Sequence, residues 1–396
     1  MAAVISDAPS SYAPAHDDIW FTFTSDQSGT TNFKFIADIK VNDVLVSRTK
    51  IFPDADGYGY FNSAPIVRAY ITNYFEPSGS SILVASNDKL KAEYRLELGE
   101  EVTGTITTNQ ASGNYNAYNC YRPLFTDYYK TNDATFKSYY DSETLTNFED
   151  NWLTERDLEI GASYGDNVYI SFFKKTSGTY TGVLDIIGEG EIIQSSVSAT
   201  ISLNEFNLFN LGADHINTWA ASSVITSNTY GYNFYLDRSG TKSRTVKIRN
   251  KCYPKHTPYN LHFLNRLGGY DTMKFALVNK RQSSFEKKSF QKPQWQVESN
   301  VKVMADNYNR INETNTIFSV NHRNTLHLVS DWVSQQDSDW LQQLIASTSV
   351  YLESNGGYFP ITISTAQYDF KKTESDKLWN VEIDIEVGRI INSQFR

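Results

Sequence analysis

The sequence predicts a mainly β, multidomain chain of β-sandwich modules, ending in a C-terminal β module flanked by one α-helix. Three observations carry that expectation. Tyr 26, Phe 23 and Trp 7 in 396 residues, set among many Ser, Thr and Asn, favour extended structure. Short apolar-polar alternations recur between Gly-, Ser- and Asn-rich turns, at the spacing of sandwich strands. Only one later segment, around Trp340, Leu341, Leu344 and Ile345, keeps a persuasive helical spacing.

Along the chain, Trp20, Phe21 and Phe23 open a strand that ends in the polar turn from Thr24 to Gly29. Phe33, Phe35, Ala37, Ile39 and Val41 alternate with polar neighbours, and Asn42-Asp43 then leads into Val44-Leu45-Val46, which reads as a hairpin with one buried face. A short helix is expected within Ala64 to Phe75, and alternation returns at Ala92, Tyr94, Leu96 and Leu98. These elements make residues 1–105 an N-terminal β-sandwich. Periodicity then weakens, so residues 106–165 read as a tyrosine-rich linker or arm, with Asn114 to Asn119 as a loop and Trp152-Leu153 in need of a covering partner.

Residues 166–295 read as a middle β domain, with strands at Val168 to Phe173, Tyr180 to Ile187, Ala199 to Leu203, Tyr232 to Asp237 and Thr245 to Ile248. Residues 296–396 form the C-terminal module. Its helix begins near Ser334 and Asp337, a weak relative of a capping box, and is expected to lay its apolar stripe on the last strands. Beyond it come Val350-Tyr351-Leu352, a Gly356-Gly357 turn, and further strands to Val387.

Composition excludes several classes of function. A net charge of −9 argues against wholesale capture of nucleic acid or anionic lipid, and no sequence-specific nucleic-acid reader is expected. Cys120 and Cys252 are too few for a disulfide framework. The N-terminus lacks the basic and apolar regions of a signal peptide, and no apolar run of about 18 residues suits a membrane helix, so no membrane insertion is expected. Without a signal, the sequon at Asn312 reads as a polar turn.

Motifs with chemical potential each have a plainer reading. Gly161-Ala162-Ser163-Tyr164-Gly165 matches the nucleophile elbow, but a strand rather than a helix should follow it. Cys252, His256 and His262, with Cys120 as a conceivable fourth, supply zinc-type donors at no standard spacing, and His322 and His327 point to opposite strand faces. Asp54-Ala55-Asp56-Gly57 resembles the start of a calcium loop, yet its twelfth position is Pro65. Lys280-Arg281 and Lys287-Lys288, interleaved with Phe285 and Phe290, suit single-strand binding superficially and a solvated hairpin edge better. Neither Gly57-Tyr58-Gly59 nor Gly188-Glu189-Gly190 follows a strand and opens a helix, as a phosphate cradle requires. Glu149 and Asp150 are unpaired candidates for glycoside hydrolysis. The expectation is a chain with no catalytic, cofactor-binding or metal-binding residues.

Three stretches carry a family resemblance. They are Asn32-Phe33-Lys34-Phe35-Ile36-Ala37-Asp38-Ile39 with Ile66-Val67-Arg68-Ala69-Tyr70; Leu261-His262-Phe263-Leu264-Asn265-Arg266-Leu267-Gly268-Gly269-Tyr270-Asp271; and Asp339-Trp340-Leu341-Gln342-Gln343-Leu344 with Tyr358-Phe359-Pro360-Ile361. Together they resemble structural proteins of tailed bacteriophages that infect Bacteroidetes, crAss-like phages among them. The resemblance implies a virion component of the tail, neck or baseplate and no enzyme. On that view the chain is assembled in the host bacterial cytoplasm, and its partners are copies of itself in a symmetric homo-oligomer and other phage tail or neck proteins. The competing expectation is a carbohydrate-binding adhesin or tail-fibre module, since exposed aromatics serve both as interface anchors and as sugar platforms. A β-rich glycosidase ranks third.

Overall fold

Alternation of apolar residues turns directly into strands in the N-terminal third. The computed structural model describes residues 2–9, 12–72, 75–86, 90–120, 152–174, 178–251, 255–292, 295–304, 315–333, 335–364, 380–387 and 391–395. Phe35, Ala37, Ile39 and Val41 lie on the buried side of the strand Lys34–Val41. That strand pairs antiparallel with Val44–Ile51 on one side and Lys91–Val102 on the other. Asn42 and Asp43 make the first connection with φ of 49° and 63°, the left-handed pair that a two-residue hairpin loop demands. Tyr12–Pro14 and Tyr115–Tyr118 complete the run of this sheet, and Thr105–Ala111 pairs with Lys91–Val102.

A second sheet, Val4–Asp7, Trp20–Thr24 and Gly59–Asn62, shares its core. Phe21, Phe23 and Phe61 from this sheet join Phe35, Ile39, Tyr94, Leu96 and Leu98 from the other in one buried cluster, which makes the pair a sandwich. The helix expected after Ala64 is brief: Ala64–Val67 is α-helical and Arg68–Tyr70 is a 3-10 turn.

The middle of the chain repeats the plan. One sheet runs Glu159–Ala162, Val246–Asn250, Gly231–Arg238, Tyr180–Ile187 and Ile193–Ile201, with Thr241–Lys242 beside Gly231–Arg238. The other runs Tyr169–Phe173, Phe206–Asn210 and Leu83–Ser86, so a strand from the N-terminal third is built into it. Phe172, Leu184, Phe209, Phe234 and Val246 meet in a single core, together with Ile216 of the helix Ala213–Trp219.

The linker or arm expected at residues 106–165 is corrected where the chain is described. Tyr115–Tyr118 is a sheet strand, antiparallel to Lys91–Val102 and parallel to Tyr12–Pro14, and Tyr118 is buried. Tyr118 donates to Glu205 Oε1 at 2.8 Å, and its ring lies 5.5 Å from Phe173 and 5.3 Å from Phe206. Trp152 and Leu153 are both 0% exposed. The Trp152 indole donates to Arg244 O at 2.8 Å and sits edge-on to Phe172 and Phe209. The cover that the sequence called for is the chain's own middle sandwich. Residues 121–151, including Tyr121 to Tyr129, Glu149 and Asp150, lie outside the described residues.

Compactness divides the chain into two units, Met1–Tyr253 with His262–Met273 and Asp339–Ser349, and Pro254–Leu261 with Lys274–Ser338 and Val350–Arg396. In the second unit the strands Val350–Ser354, Gly357–Ile363, Glu382–Val387, Asn315–Val329 and Lys280–Gln291 follow one another in one sheet, with Ile391–Phe395 beside Asn315–Val329. Trp295–Glu298 and Val301–Met304 form a separate two-stranded ribbon. Ser354 pairs with Gly357, so the tight turn is Asn355-Gly356 (φ 50° and 72°), one residue earlier than expected.

Of the expected stripe, the helix Gln335–Ala346 buries Trp340, Leu341 and Leu344 and leaves Ile345 half-buried. Its residues from Asp339 onward belong to the first unit, and the side-chain partners described for it there come from the middle of the chain: the Trp340 ring lies 5.2 Å from Phe263 and 4.6 Å from the Arg156 guanidinium. Leu344→Ala should cost about 2 to 5 kcal/mol, the usual range for truncating a buried leucine. Chemical denaturation measures it, and an unchanged transition for Leu344→Asp would show that the stripe is not packed.

Candidate functional site

The most elaborate polar cluster forms where the chain turns between Leu264 and Tyr270. Asn265 Oδ1 accepts from the backbone N–H groups of Leu267 and Gly269, each at 3.0 Å, and its Nδ2 donates to Leu153 O at 2.6 Å and to Asp271 Oδ2 at 2.9 Å. One side chain thus shapes its own turn and ties it to the segment at Leu153. Gly269 has to be glycine for this approach, because a Cβ there would lie 2.5 Å from Leu153 O.

Asp271 is the focus of the cluster and is 0% exposed. Its Oδ2 accepts from Asn265 Nδ2, from Thr154 Oγ1 at 2.8 Å and from the Trp340 indole at 2.8 Å. Arg156, stacked on that indole, donates to Thr272 O at 2.7 Å. Burial pushes the Asp271 carboxyl above the usual range, against the opposing pull of these donors and the Arg156 charge. Beside it, Glu155 forms an ion pair with Arg266 and accepts from Gln343 Nε2 at 2.6 Å, while Gln343 Oε1 accepts from the Arg266 N–H at 3.1 Å. His262, also 0% exposed, stacks on Phe75 at 5.5 Å, and its Nδ1 lies 2.9 Å from Thr272 Oγ1. The chemistry this arrangement performs is structural: it clamps residues 152–156, 262–273 and 339–349 together.

The surface of the second unit offers a different kind of site. All twelve residues of Lys280–Gln291 are exposed, and they pair in antiparallel register with Asn315–Val329. Phe285, 57% exposed, stacks flat on His322 with ring centroids 4.6 Å apart, and Phe290 lies 6.1 Å from Phe318. Ile317 and Phe318 are exposed as well, and in the adjoining ribbon so are Trp295, Val297 and Val301. The sequence marked Phe285, Phe290 and the lysine pairs correctly as a hairpin edge; the concentration of exposed apolar side chains emerges only when Asn315–Val329 pairs with it.

A second exposed aromatic group lies on the outer face of the N-terminal three-stranded sheet. Trp20 and Tyr60, each 51% exposed, are diagonal neighbours, because Trp20 pairs with Asn62 and Thr22 with Tyr60. Tyr58 continues the surface, its ring 6.5 Å from that of Tyr60, and Asn62 Nδ2 donates to Asp18 Oδ1 at 2.6 Å.

The motif residues are scattered. Ser163 sits in a turn whose backbone N–H donates to Asp166 Oδ2 at 2.6 Å, and the next element is the strand Tyr169–Phe173. Asp54 Oδ1 accepts from the N–H groups of Asp56 and Tyr58, at 3.0 and 2.8 Å, which is a turn closing on itself. Cys120 is buried, His256 is exposed, and Cys252 and the Asn312 sequon lie outside the described residues. His327 lies 2.8 Å from Asp384 Oδ1, whereas His322 carries Phe285. Gly188 to Gly190 connects Tyr180–Ile187 to Ile193–Ile201, strand to strand, through the 3-10 turn Glu189–Glu191. Among the described residues no group of three or more His, Cys, Asp or Glu is placed to hold a metal ion, and no helix is long and apolar enough to cross a membrane. No protein-family model matches the chain, and no curated protein matches it.

The Asp271 cluster makes a pH-dependent contribution to stability. Because its carboxyl holds the proton more tightly folded than unfolded, this group favours folding at low pH, and that contribution is lost as pH rises through the folded-state pKa. Asp271→Asn abolishes the titration. Wild type should therefore lose stability relative to Asp271→Asn as pH rises above about 4, the unfolded aspartate value. Urea unfolding at a series of pH values reads the difference, and parallel curves would mean that Asp271 has the same pKa in both states.

Proposed function

We propose that the chain is a non-enzymatic structural protein of a tailed-bacteriophage virion, a tail, neck or baseplate component that assembles into a symmetric ring in the host cytoplasm. The observation that carries the assembly part is the surface of Lys280–Gln291 and Asn315–Val329 with its adjoining ribbon, where Phe285, Phe290, Trp295, Val297, Val301 and Phe318 are exposed together. Two-stranded ribbons gain little stability by themselves in water, and aromatic residues clustered on them are typical interface anchors. The virion part is supported by the resemblance of the Asn32, Leu261 and Asp339 stretches to phage structural proteins. Copies of the chain and other tail or neck proteins are its partners on this reading.

A carbohydrate-binding adhesin or fibre module is the second reading, favoured by the Trp20, Tyr58 and Tyr60 surface with Asn62 and Asp18 at its margin. Flat aromatic faces meet sugar C–H groups, and amide and carboxylate groups meet hydroxyls. Glycan-array binding lost in Trp20→Ala, in a subunit that stays monomeric, would favour it over the assembly reading.

The principal test is electron microscopy and mass spectrometry of purified particles, paired with hydrogen exchange. The chain should be found in the particle, and amides of Lys280–Gln291 and Trp295–Met304 should exchange slowly there and fast in the isolated subunit. Absence of the chain from the particles would overturn the virion assignment.

A further inference from the structure

Exposed aromatic rings and charge of one sign coincide at two places on this chain. Residues 1–33 and 51–67, which supply all three strands of the sheet Val4–Asp7, Trp20–Thr24 and Gly59–Asn62, contain six Asp and no Glu, Lys or Arg. Phe21, Phe23 and Phe61 fill the core, so the alternate residues face outward. Asp7 pairs with Thr22 and Thr22 with Tyr60, which sets a carboxylate, a hydroxyl and a ring in one row, with Trp20 in the next. Asp54 and Asp56 border this face in the turn that leads into Tyr58. Partial desolvation, then the Asp54 charge and hydrogen bond, with Tyr58 and Asp56 adding to them, raise the Tyr60 hydroxyl above its ordinary range, so both carboxylates act on that ring. Asp7, Asp54 and Asp56 are exposed and form no ion pair among the described residues.

The paired strands Lys280–Gln291 and Asn315–Val329 carry the opposite sign. They hold Lys280, Arg281, Lys287, Lys288 and Arg323 against Glu286, a net +4 in a chain of −9. Of the five cations only Arg323 forms an ion pair among the described residues, with Glu386. Arg281, Phe285 and Lys287 stand at alternate positions before the register shift at Lys288, so one face of the strand presents a cation, a ring and a second cation.

We propose that the Arg281, Phe285 and Lys287 face of one copy docks on the Asp7, Trp20 and Tyr60 face of a second copy. This rests on the assembly reading above and gives its exposed aromatic anchors a receiving surface. Both faces are built on strands already paired to their neighbours, so they meet as stacked sheets do, about 10 Å apart. Guanidinium and ammonium groups are attracted to carboxylates and also to the π faces of Trp and Tyr, and the receiving face offers both. Complementary charge names the occupant. Two basic ribbons repel, two acidic faces repel, and only the mixed contact brings opposite charges together. Because donor and receiver are different surfaces, each copy can give one and take the other. Such a head-to-tail contact closes into a ring or continues as a filament.

The experiment uses the full chain and measures mass by analytical ultracentrifugation across concentration and salt. Wild type should self-associate, more weakly at high salt. Arg281→Glu with Lys287→Glu should weaken association about tenfold or more, as should Asp7→Lys with Asp56→Lys, and combining the four should restore most of it. Mixing the two double variants should give dimers and nothing larger, since one productive contact remains between them. All four positions are exposed, and unchanged melting curves establish that each variant is folded. A wild type that stays monomeric, association that ignores both charge reversals, or reversals that add without rescue would overturn this docking. Glycan binding lost in Trp20→Ala with self-association unchanged would overturn it too, and would give the aromatic face to a sugar. These results leave the virion assignment standing, whereas absence of the chain from particles would overturn that assignment instead.

Discussion

A carboxylate taken out of water has to find donors, and the way Asp271 finds them ties together three segments of the first unit. Thr154, Asn265 and Trp340 each bring one to Oδ2, and they arrive from three segments far apart in sequence. The Asn265 contact lies within the turn itself, whereas those of Thr154 and Trp340 form only when their segments have packed against that turn, so the shared carboxylate ties all three together. Leaving a buried polar group unmet costs about 1 to 3 kcal/mol, more when it is charged, and this penalises any arrangement that misplaces one segment. The net contribution of such a cluster to stability is small. Its effect is to select one packing from several that would bury similar apolar area.

Apolar burial follows the same geometry. The Trp340 ring that donates to Asp271 also receives Phe263 and Arg156 on its faces, and the Leu153 carbonyl that accepts from Asn265 adjoins Trp152, which fills the middle core. Helix, turn and sandwich core are therefore connected through side chains that each serve one polar and one apolar contact. That connection explains why residues 339–349 belong with the first unit despite their position late in the chain.

Local pattern was enough to read most strands. The apolar face of Lys34–Val41, the near-alternating burial of Lys91–Val102, the Asn42-Asp43 turn and the helical stripe at Trp340 all follow from nearest-neighbour chemistry, although Ile36 and Asp38 on the other face of Lys34–Val41 are buried too. What could not be read was long-range cover. Tyr118 and Trp152 looked unpartnered because their partners, Glu205 and Phe206 for one and Arg244 and Phe209 for the other, lie some fifty to ninety residues away in sequence. Similarly, local pattern in the stretch Leu261 to Asp271 does not reveal its polar cluster. Its geometric requirement, a side-chain amide at 265 and no Cβ at 269, becomes visible only when Leu153 is beside it.

Trp152 and Phe285 make the physical contrast plain. Both are large aromatic residues in sequence settings that offer no nearby cover. Trp152 is enclosed by Phe172 and Phe209 and spends its N–H on a carbonyl, whereas Phe285 has His322 on one face and stays more than half exposed. An aromatic residue held on a strand has already lost much of its rotamer freedom, so a partner that covers it recovers apolar surface at little further entropic cost. The pairing of Lys280–Gln291 with Asn315–Val329 performs that ordering in advance. The apolar side chains exposed on the second unit are thus held in place by their strands without being covered by them, the opposite solution to the one that encloses Trp152 in the first unit.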